Sequence, residues 1–201
     1  MPEIHLASRN AKKIAEMERI LAAHVPGLRV LGLDDVASYD EPVEDAPTFE
    51  GNALVKARAG VAATGLATIA DDSGLCVDAL NGMPGVLSAR WSGPPKDDAR
   101  NNRLLLDQLA DVPDERRGAH FTCAVAVVLP DGREHVVEGR MAGTVVREVR
   151  GERGFGYDVL FVADERPGLT TAELSTDDKD AISHRGAALR ALAPLLPDLL
   201  A

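Results

Sequence analysis

The chain has 201 residues, with 32 acidic against 22 basic side chains, which gives a formal net charge of −10. Hydrophobic residues make up 45% and charged residues 27%, which is typical of a globular protein with a real core and argues against wholesale disorder. This acidic balance excludes a protein that holds nucleic acid by bulk positive charge, so a polyanionic ligand needs a local basic cluster.

The sequence shows no sign of a membrane or secretory protein. No apolar run approaches the roughly 18 residues of a membrane helix, and the first residues, Met-Pro-Glu-Ile-His, lack the basic and apolar regions of a secretory signal. Cys76 and Cys123 are the only cysteines and lack metal-type spacing. We therefore expect a cytoplasmic protein with reduced thiols and no membrane partner.

In the first half of the chain, short apolar strands alternate with helical patterns. The pattern predicts strands at residues 4–7, 29–32 and 67–70 and helices at about residues 11–24, 48–64 and 97–109. Thr48 is a suitable N-cap for the second helix, and Gly65 ends it. Residues 37–47 contain two prolines and four acids and indicate a loop. We expect residues 71–74 to lie at the C-terminal end of the third strand.

The second half has a different character. A long strand at residues 119–129, a turn and a return at 135–138 predict a hairpin. Short strands at 145–146 and 160–162 follow, and Ser183 can cap a last helix to Leu192. The chain is therefore predicted to be a mixed α/β protein with roughly two lobes and a cleft between them.

The first candidate site is a strand-to-helix turn with three cations, at residues 8–13. Lysines in the first turn of a helix are unfavourable unless an anion binds there, where backbone amides, dipole and ammonium groups converge. This pattern predicts a phosphate site. The alternative is a solvated helix start with Asn10 as its cap.

The second candidate is the acidic pair Asp71 and Asp72 beside Ser73. Adjacent carboxylates repel each other, and a hard cation such as Mg²⁺ relieves that cost. An ordinary polar turn is the alternative. Glu44, in the 37–47 loop, is a further candidate carboxylate, as are its neighbours Glu41 and Asp45.

Three further patterns carry suitable chemistry. Lys56 and Asn52 share one helical face, although such a lysine usually extends to solvent. Glycines flank Phe155, which could stack on a base, in a segment that could equally be a tight turn. Lys179, His184 and Arg185 gather donors near a helix start.

The chain resembles the inosine/xanthosine triphosphate pyrophosphatases. The matching segments follow the family's order and span nearly the whole chain: residues 6–13, 48–57, 70–75, 85–90, 154–158 and 179–186. Two positions depart from the family pattern, Gly51 where an acid is frequent and Val159 where proline is common.

The resemblance implies one domain over residues 1–201, an α/β fold with a long mixed central sheet flanked by helices. It implies an enzyme that hydrolyses non-canonical purine nucleoside triphosphates (ITP, dITP, XTP) to the monophosphate and pyrophosphate and so cleanses the nucleotide pool. It also implies Mg²⁺ as cofactor, a homodimer and no nucleic-acid partner.

The resemblance also assigns roles to residues. Asp72 and Lys13 would be catalytic, and Asp72, Glu44 and Asp71 would lie near or on the metal. The triphosphate would bind to Ser8, Arg9, Asn10, Ala11, Lys12 and Lys13. The rest of the nucleotide would contact Lys56, Ser73, Phe155, Gly156, Tyr157, Asp158, Lys179, His184 and Arg185.

Two other functions remain open from the sequence. One is a non-catalytic nucleotide-binding module that uses the same pocket without a working base. The other is a different nucleotide hydrolase of similar architecture, such as the septum-related pyrophosphatases. The intact Asp71–Asp72 pair and Lys13 favour the enzyme.

Overall fold

The computed structural model describes residues 2–201, apart from the side chain of Lys12, and contains one six-stranded sheet. Its strands are β1 (Glu3–Leu6), β2 (Arg29–Leu31), β3 (Thr68–Val77), β4 (Gly118–Val128), β5 (Glu134–Val145) and β6 (Phe161–Ala163). They lie in the order β2-β1-β3-β4-β5-β6. β1 pairs parallel with β2 and β3, whereas β5 and β6 are antiparallel. The sheet is therefore mixed, as predicted.

Six α-helices accompany the sheet in the part of the chain that the structure describes. They are α1 (Ala11–Leu21), α2 (Phe49–Thr64), α3 (Asp98–Gln108), α4 (Thr176–Ile182), α5 (His184–Leu192) and α6 (Leu196–Leu199). Among the described residues, none of these helices has the length and apolar character needed to cross a bilayer.

The chain divides into two compact units. The first contains the residues up to Asp72 together with Cys123–Gly139 and Ala187–Ala201. The second contains Ser73–Thr122 and Arg140–Gly186. Three strands, β3, β4 and β5, pass from one unit into the other.

In the first unit, alternation along the strands builds two cores on the two faces of the sheet. One face carries large side chains such as Ile69 and Val125, which pack with residues of α1 and α5. The other face carries small side chains such as Ala70 and Ala124, which pack against Ala53 of α2. Successive strand residues point to opposite faces, so this pattern decides which helix each β3 side chain meets.

Helix α2 has the ends that the sequence predicts. The Thr48 hydroxyl accepts a hydrogen bond from the Gly51 amide at 3.0 Å. Gly65 follows the helix with φ 70°, and its amide donates to the Val61 carbonyl. A left-handed residue at this position favours glycine.

In the second unit, α3 packs on the sheet core through Leu105, and Leu109 directly after the helix joins the same core. Asp97 caps the helix by accepting from the Arg100 amide at 3.0 Å. Near the other end, the Trp91 indole donates to the Gln108 side chain at 2.9 Å.

The structure corrects three predicted boundaries. β3 continues to Val77, so the predicted end of the strand at residue 70 was wrong and both aspartates lie inside a strand. β5 runs without a break to Val145, where a separate short strand was predicted. α1 ends at Leu21 rather than near residue 24. A further helix, α4, precedes the predicted last helix, and Ser175 caps it by accepting from the Asp178 amide at 3.1 Å.

Candidate active site

Asp71 and Asp72 are neighbours in sequence but meet different helices. Asp71 shares the sheet face of Ile69 and pairs with Lys13 of α1, whose Nζ lies 2.8 Å from one carboxylate oxygen and 2.9 Å from the other. Asp72 shares the face of Ala70 and accepts from the Asn52 side chain of α2 at 3.0 Å. The two aspartates therefore belong to separate side-chain clusters of the first unit, one with α1 and one with α2.

The start of α1 has the features of an anion site. α1 begins at Ala11 and has no acid in its first turn. Asn10 caps it, because its Oδ1 accepts from the Lys13 amide at 3.3 Å. The Asn10 amide donates to the Ser8 hydroxyl at 3.2 Å. The cap interpretation is thus confirmed, and it leaves the basic character of the turn intact. The side chain of Lys12 lies outside the described residues.

Arg9, predicted to bind phosphate, is engaged by two acids. Its guanidinium forms an ion pair with Glu41 and lies 3.4 Å from Asp34. The hydrogen bond and charge of Glu41, with a smaller contribution from Asp34, raise the pKa of Arg9. All three side chains are exposed, so the pairs contribute little to stability.

Lys56 brings two carboxylates together. Its Nζ lies 3.3 Å from Glu44 and 3.7 Å from Asp72, and its side chain is 17% exposed. A lysine that extended to solvent would make neither contact. The two acids therefore converge on one positive charge, which is the arrangement expected where a cation can bind nearby.

Asn52 is a site residue that was predicted only as the helical neighbour of Lys56. It is 1% exposed. Its Nδ2 donates to Asp72, and its Oδ1 accepts from the Ala46 amide at 3.0 Å. One side chain thus fixes both the strand carboxylate and the loop that carries Glu44.

His5 anchors the other end of this loop. The ring is buried, with Nδ1 2.9 Å from the Leu31 carbonyl and Nε2 2.9 Å from the Tyr39 hydroxyl. Since a carbonyl only accepts, Nδ1 carries the hydrogen and Nε2 accepts from Tyr39. Burial lowers the pKa of His5, and its hydrogen bond to Leu31 opposes that shift.

In the second unit, Asp158 organises residues 154–158, here called the aromatic loop. It is 4% exposed. One carboxylate oxygen accepts from the Thr171 hydroxyl at 2.9 Å, and the other accepts from the Phe155 amide at 2.9 Å and pairs with Lys179. Asp158 therefore holds Phe155 and Lys179 in place, a positioning role that composition alone does not reveal.

Phe155 itself presents an open ring. It is 65% exposed, and the Lys179 ammonium lies 5.2 Å from the ring centroid. A Cβ at Gly154 (φ 78°) would lie 2.2 Å from Asp158 and 3.0 Å from Lys179. Only glycine allows this close approach, which sets an exposed aromatic face beside a cation.

Tyr157 and Ser73 occupy less open positions. The Tyr157 hydroxyl donates to the Ser88 carbonyl at 2.9 Å, and the ring is only 4% exposed. Its side chain therefore anchors the loop in the core of the second unit. Ser73 follows Asp72 in β3 and is half-buried.

His184 and Arg185 are the first two residues of α5, and both are half-buried. Ser183 caps this helix, since its hydroxyl accepts from the Gly186 amide at 2.9 Å. The His184 ring stacks on Phe121, with centroids 5.0 Å apart and an interplanar angle of 14°. The predicted cap is confirmed, and it places His184 and Arg185 at the start of α5.

The chain is similar to known proteins over nearly its whole length. Residues 4–195 match the model of the Ham1 family. The chain is 62% identical over 200 residues to a dITP/XTP pyrophosphatase of Nocardia farcinica, a match that covers 99% of this chain and 97% of that protein. It is 57% identical to a dITP/XTP pyrophosphatase of Corynebacterium efficiens, with 96% and 97% covered.

Solved structures agree with this similarity. A nucleoside-triphosphatase, or dITP/XTP pyrophosphatase, of Mycobacterium abscessus is 58% identical with a TM-score of 0.80, and 97% of this chain and 99% of that chain are covered. The Ham1 protein of Staphylococcus aureus is 37% identical with a TM-score of 0.88, and 98% and 99% are covered.

Proposed function

Because the chain belongs to the Ham1 family, we propose that it hydrolyses non-canonical purine nucleoside triphosphates (dITP, ITP and XTP) to the monophosphate and pyrophosphate. The observation that carries the proposal is the convergence of Glu44 and Asp72 on Lys56, in the same unit as the basic start of α1. The proposal includes the homodimer and the Mg²⁺ dependence that the resemblance implies.

The start of α1 is the proposed phosphate site. Lys13 and the backbone amides near Ser8 and Ala11 supply positive charge and donors, as helix N-termini do for phosphate groups. Lys13 is already oriented by Asp71. Asp71 is therefore proposed to act through Lys13, and the metal is assigned to other carboxylates.

Glu44 and Asp72 are the proposed Mg²⁺ ligands. Both are hard oxygen donors, and Mg²⁺ commonly takes one or two carboxylates together with substrate phosphates and water. Among the described residues, no group of three or more His, Cys, Asp or Glu could hold a metal. The residues present thus fit an ion that binds together with the triphosphate. When bound, the ion offsets negative charge on the phosphate oxygens.

Asp72 is also the proposed acceptor of the water proton. The water oxygen attacks the α-phosphorus, the bond from that phosphorus to the bridging oxygen breaks, and pyrophosphate leaves with the electron pair. The proton released by the water goes to Asp72. Asn52 fixes the orientation of this carboxylate, and the Lys56 ammonium lies 3.7 Å from it.

The second unit is proposed to recognise the base. The open ring of Phe155 can stack on any purine. Lys179, His184 and Arg185 are hydrogen-bond donors, and a purine with oxygen at C6 offers them an acceptor. Adenine presents an amino group there and would leave donors unpaired, at a cost of about 1–3 kcal/mol for each lost partner.

A substrate panel tests the proposal. Wild-type protein is mixed with ITP, dITP, XTP, ATP, GTP and Mg²⁺, and the product is resolved as pyrophosphate or orthophosphate. We expect pyrophosphate from the deaminated purines and much slower turnover of ATP. Equal turnover of ATP and ITP, or release of orthophosphate, would contradict the proposal. The molar mass measured by light scattering as the protein elutes from a size-exclusion column tests the proposed homodimer.

A further inference from the structure

Helix α3 holds the peptide units on both sides of Gly156. The Gly156 amide donates to the Asp98 carboxylate at 2.7 Å. The Gly156 carbonyl accepts from the Asn102 side chain at 2.9 Å. Asp98 and Asn102 are four residues apart, so they lie on one face of the helix.

These two hydrogen bonds restrict the backbone of Gly156, which has no side chain to limit its conformation. Gly156 has φ 61°, in the left-handed region, and a glycine samples more backbone conformations than any other residue. Phe155 directly precedes it and has a largely exposed ring. Because Phe155 and Gly156 share a peptide unit, a rotation at Gly156 moves the backbone that carries the ring.

Stability alone does not explain an asparagine at position 102. Its side chain is 94% buried, and among the described residues its Oδ1 has no hydrogen-bond partner. A buried acceptor without a partner destabilises a fold. Asn102 also lines a cavity of about 350 Å³, together with Asp98 and Phe155. Within the described part of the chain, its side-chain amide donates to the Gly156 carbonyl of the aromatic loop.

We propose that Asp98 and Asn102 are positioning residues that fix Phe155 and Gly156 for base recognition and thereby set the affinity for the nucleotide without touching it. This inference rests on the proposed function. The residues assigned to phosphate binding and water activation, Lys13 and Asp72, lie in the other unit of the chain. Loss of the α3 contacts is therefore expected to act on KM rather than on kcat.

The kinetic test uses three variants at one helix. Asp98→Ala removes the acceptor, and the KM for ITP should rise about fivefold while kcat stays within about twofold of the wild type. Asp98→Asn keeps an acceptor oxygen and should restore a KM close to that of the wild type. Asp107→Ala, which removes an exposed acid of the same helix, is the matched control and should leave KM unchanged.

Asn102→Leu separates positioning from stability. Leucine fills a similar volume and removes the buried Oδ1 that has no partner, while the carbonyl that loses its donor belongs to the half-buried Gly156, so the melting temperature should not fall. The KM for ITP should nevertheless rise as for Asp98→Ala. A purely structural role predicts the opposite result, a lower melting temperature with KM unchanged, and that result would overturn the proposal.

Hydrogen exchange provides a readout that needs no activity. In the nucleotide-free protein, the Gly156 amide should exchange about tenfold faster in Asp98→Ala than in the wild type or in Asp107→Ala. Unchanged exchange would overturn the inference, and so would faster exchange with an unchanged KM. A wild type that is inactive on the substrate panel would refute the proposed function, whereas the exchange rates would still decide whether α3 holds the loop.

Discussion

The Lys13 ammonium donates to both carboxylate oxygens of Asp71, a residue that is only 7% exposed. The dipole of α1 alone makes a lysine in the first turn unfavourable. The ion pair opposes that cost, because Lys13 supplies positive charge to a buried carboxylate. The proposed phosphate ligand therefore also stabilises the empty protein.

This relationship predicts the effect of Lys13→Ala. We expect the free energy of unfolding to fall by about 2–3 kcal/mol, less than for a fully buried pair because the Lys13 side chain keeps 23% of its exposure. Chemical denaturation measures the change. The double variant Lys13→Met/Asp71→Asn should regain most of the stability but none of the turnover. A single variant as stable as the wild type would show that the pair contributes nothing.

Asp72→Asn tests the proposed base. The amide keeps the shape and an acceptor for Asn52 but loses the charge, so kcat should fall by roughly 10²-fold or more with folding intact. Asp45→Asn, at an exposed acid beside Glu44, is the control and should turn over normally. EDTA should abolish wild-type activity, and added Mg²⁺ should restore it. Near-normal turnover of Asp72→Asn at saturating Mg²⁺ would remove this residue from the mechanism.

Phe155→Ala should weaken the use of all substrates, whereas Arg185→Ala should weaken the discrimination between them. Stacking is worth about 1–3 kcal/mol per base and is tolerant of base identity, so Phe155→Ala should lower kcat/KM for ITP and ATP by similar factors. Arg185→Ala should lower the ratio of kcat/KM for ITP to kcat/KM for ATP, because a donor to the C6 oxygen of ITP is lost. The assay is kcat/KM for both nucleotides in each variant. An unchanged ratio would show that Arg185 does not read the base.

His5 predicts a pH dependence of stability. Burial lowers its pKa in the folded protein, so the unfolded chain binds the proton more tightly. The contribution of His5 to folding stability is therefore complete at pH values above its ordinary pKa of 6.5. That contribution is lost as the pH falls from 6.5 towards the lower pKa of the folded protein.

The measurement is the melting temperature at about pH 7.5 and about pH 5.5. His5→Gln should show a smaller loss on acidification than the wild type, since glutamine does not titrate. His24→Gln, at an exposed histidine, should keep the wild-type dependence. Parallel curves for the wild type and His5→Gln would refute the prediction.

Local chemistry explains which elements the sequence predicted well. Thr48 and Gly65 act on amides and carbonyls within their own helix, so both ends of α2 are visible without tertiary contacts. The error at Asp71 and Asp72 has the opposite origin. Polarity suggested that the strand ends before them, but side chains from α1 and α2 satisfy the two carboxylates and allow the strand to continue.

The candidate site also contains contacts that local sequence predicts and contacts that depend on tertiary packing. Helical spacing predicted that Asn52 and Lys56 share a face, whereas the contact of Asn52 with Ala46 depends on the path of a loop. The contacts of Asp98 and Asn102 with Gly156 bridge more than 50 residues of sequence and belong to no motif. Such pairings follow from the packing of α3, which a single sequence does not encode locally.

The protein carries its own optical reporter. Trp91 is the only tryptophan, and its indole is hydrogen-bonded to Gln108 in the last turn of α3. Emission from the chain therefore originates at one end of the helix whose other end holds Gly156. A titration with nucleotide that shifts this helix would register as a change in intrinsic fluorescence, with no label and no engineered chromophore.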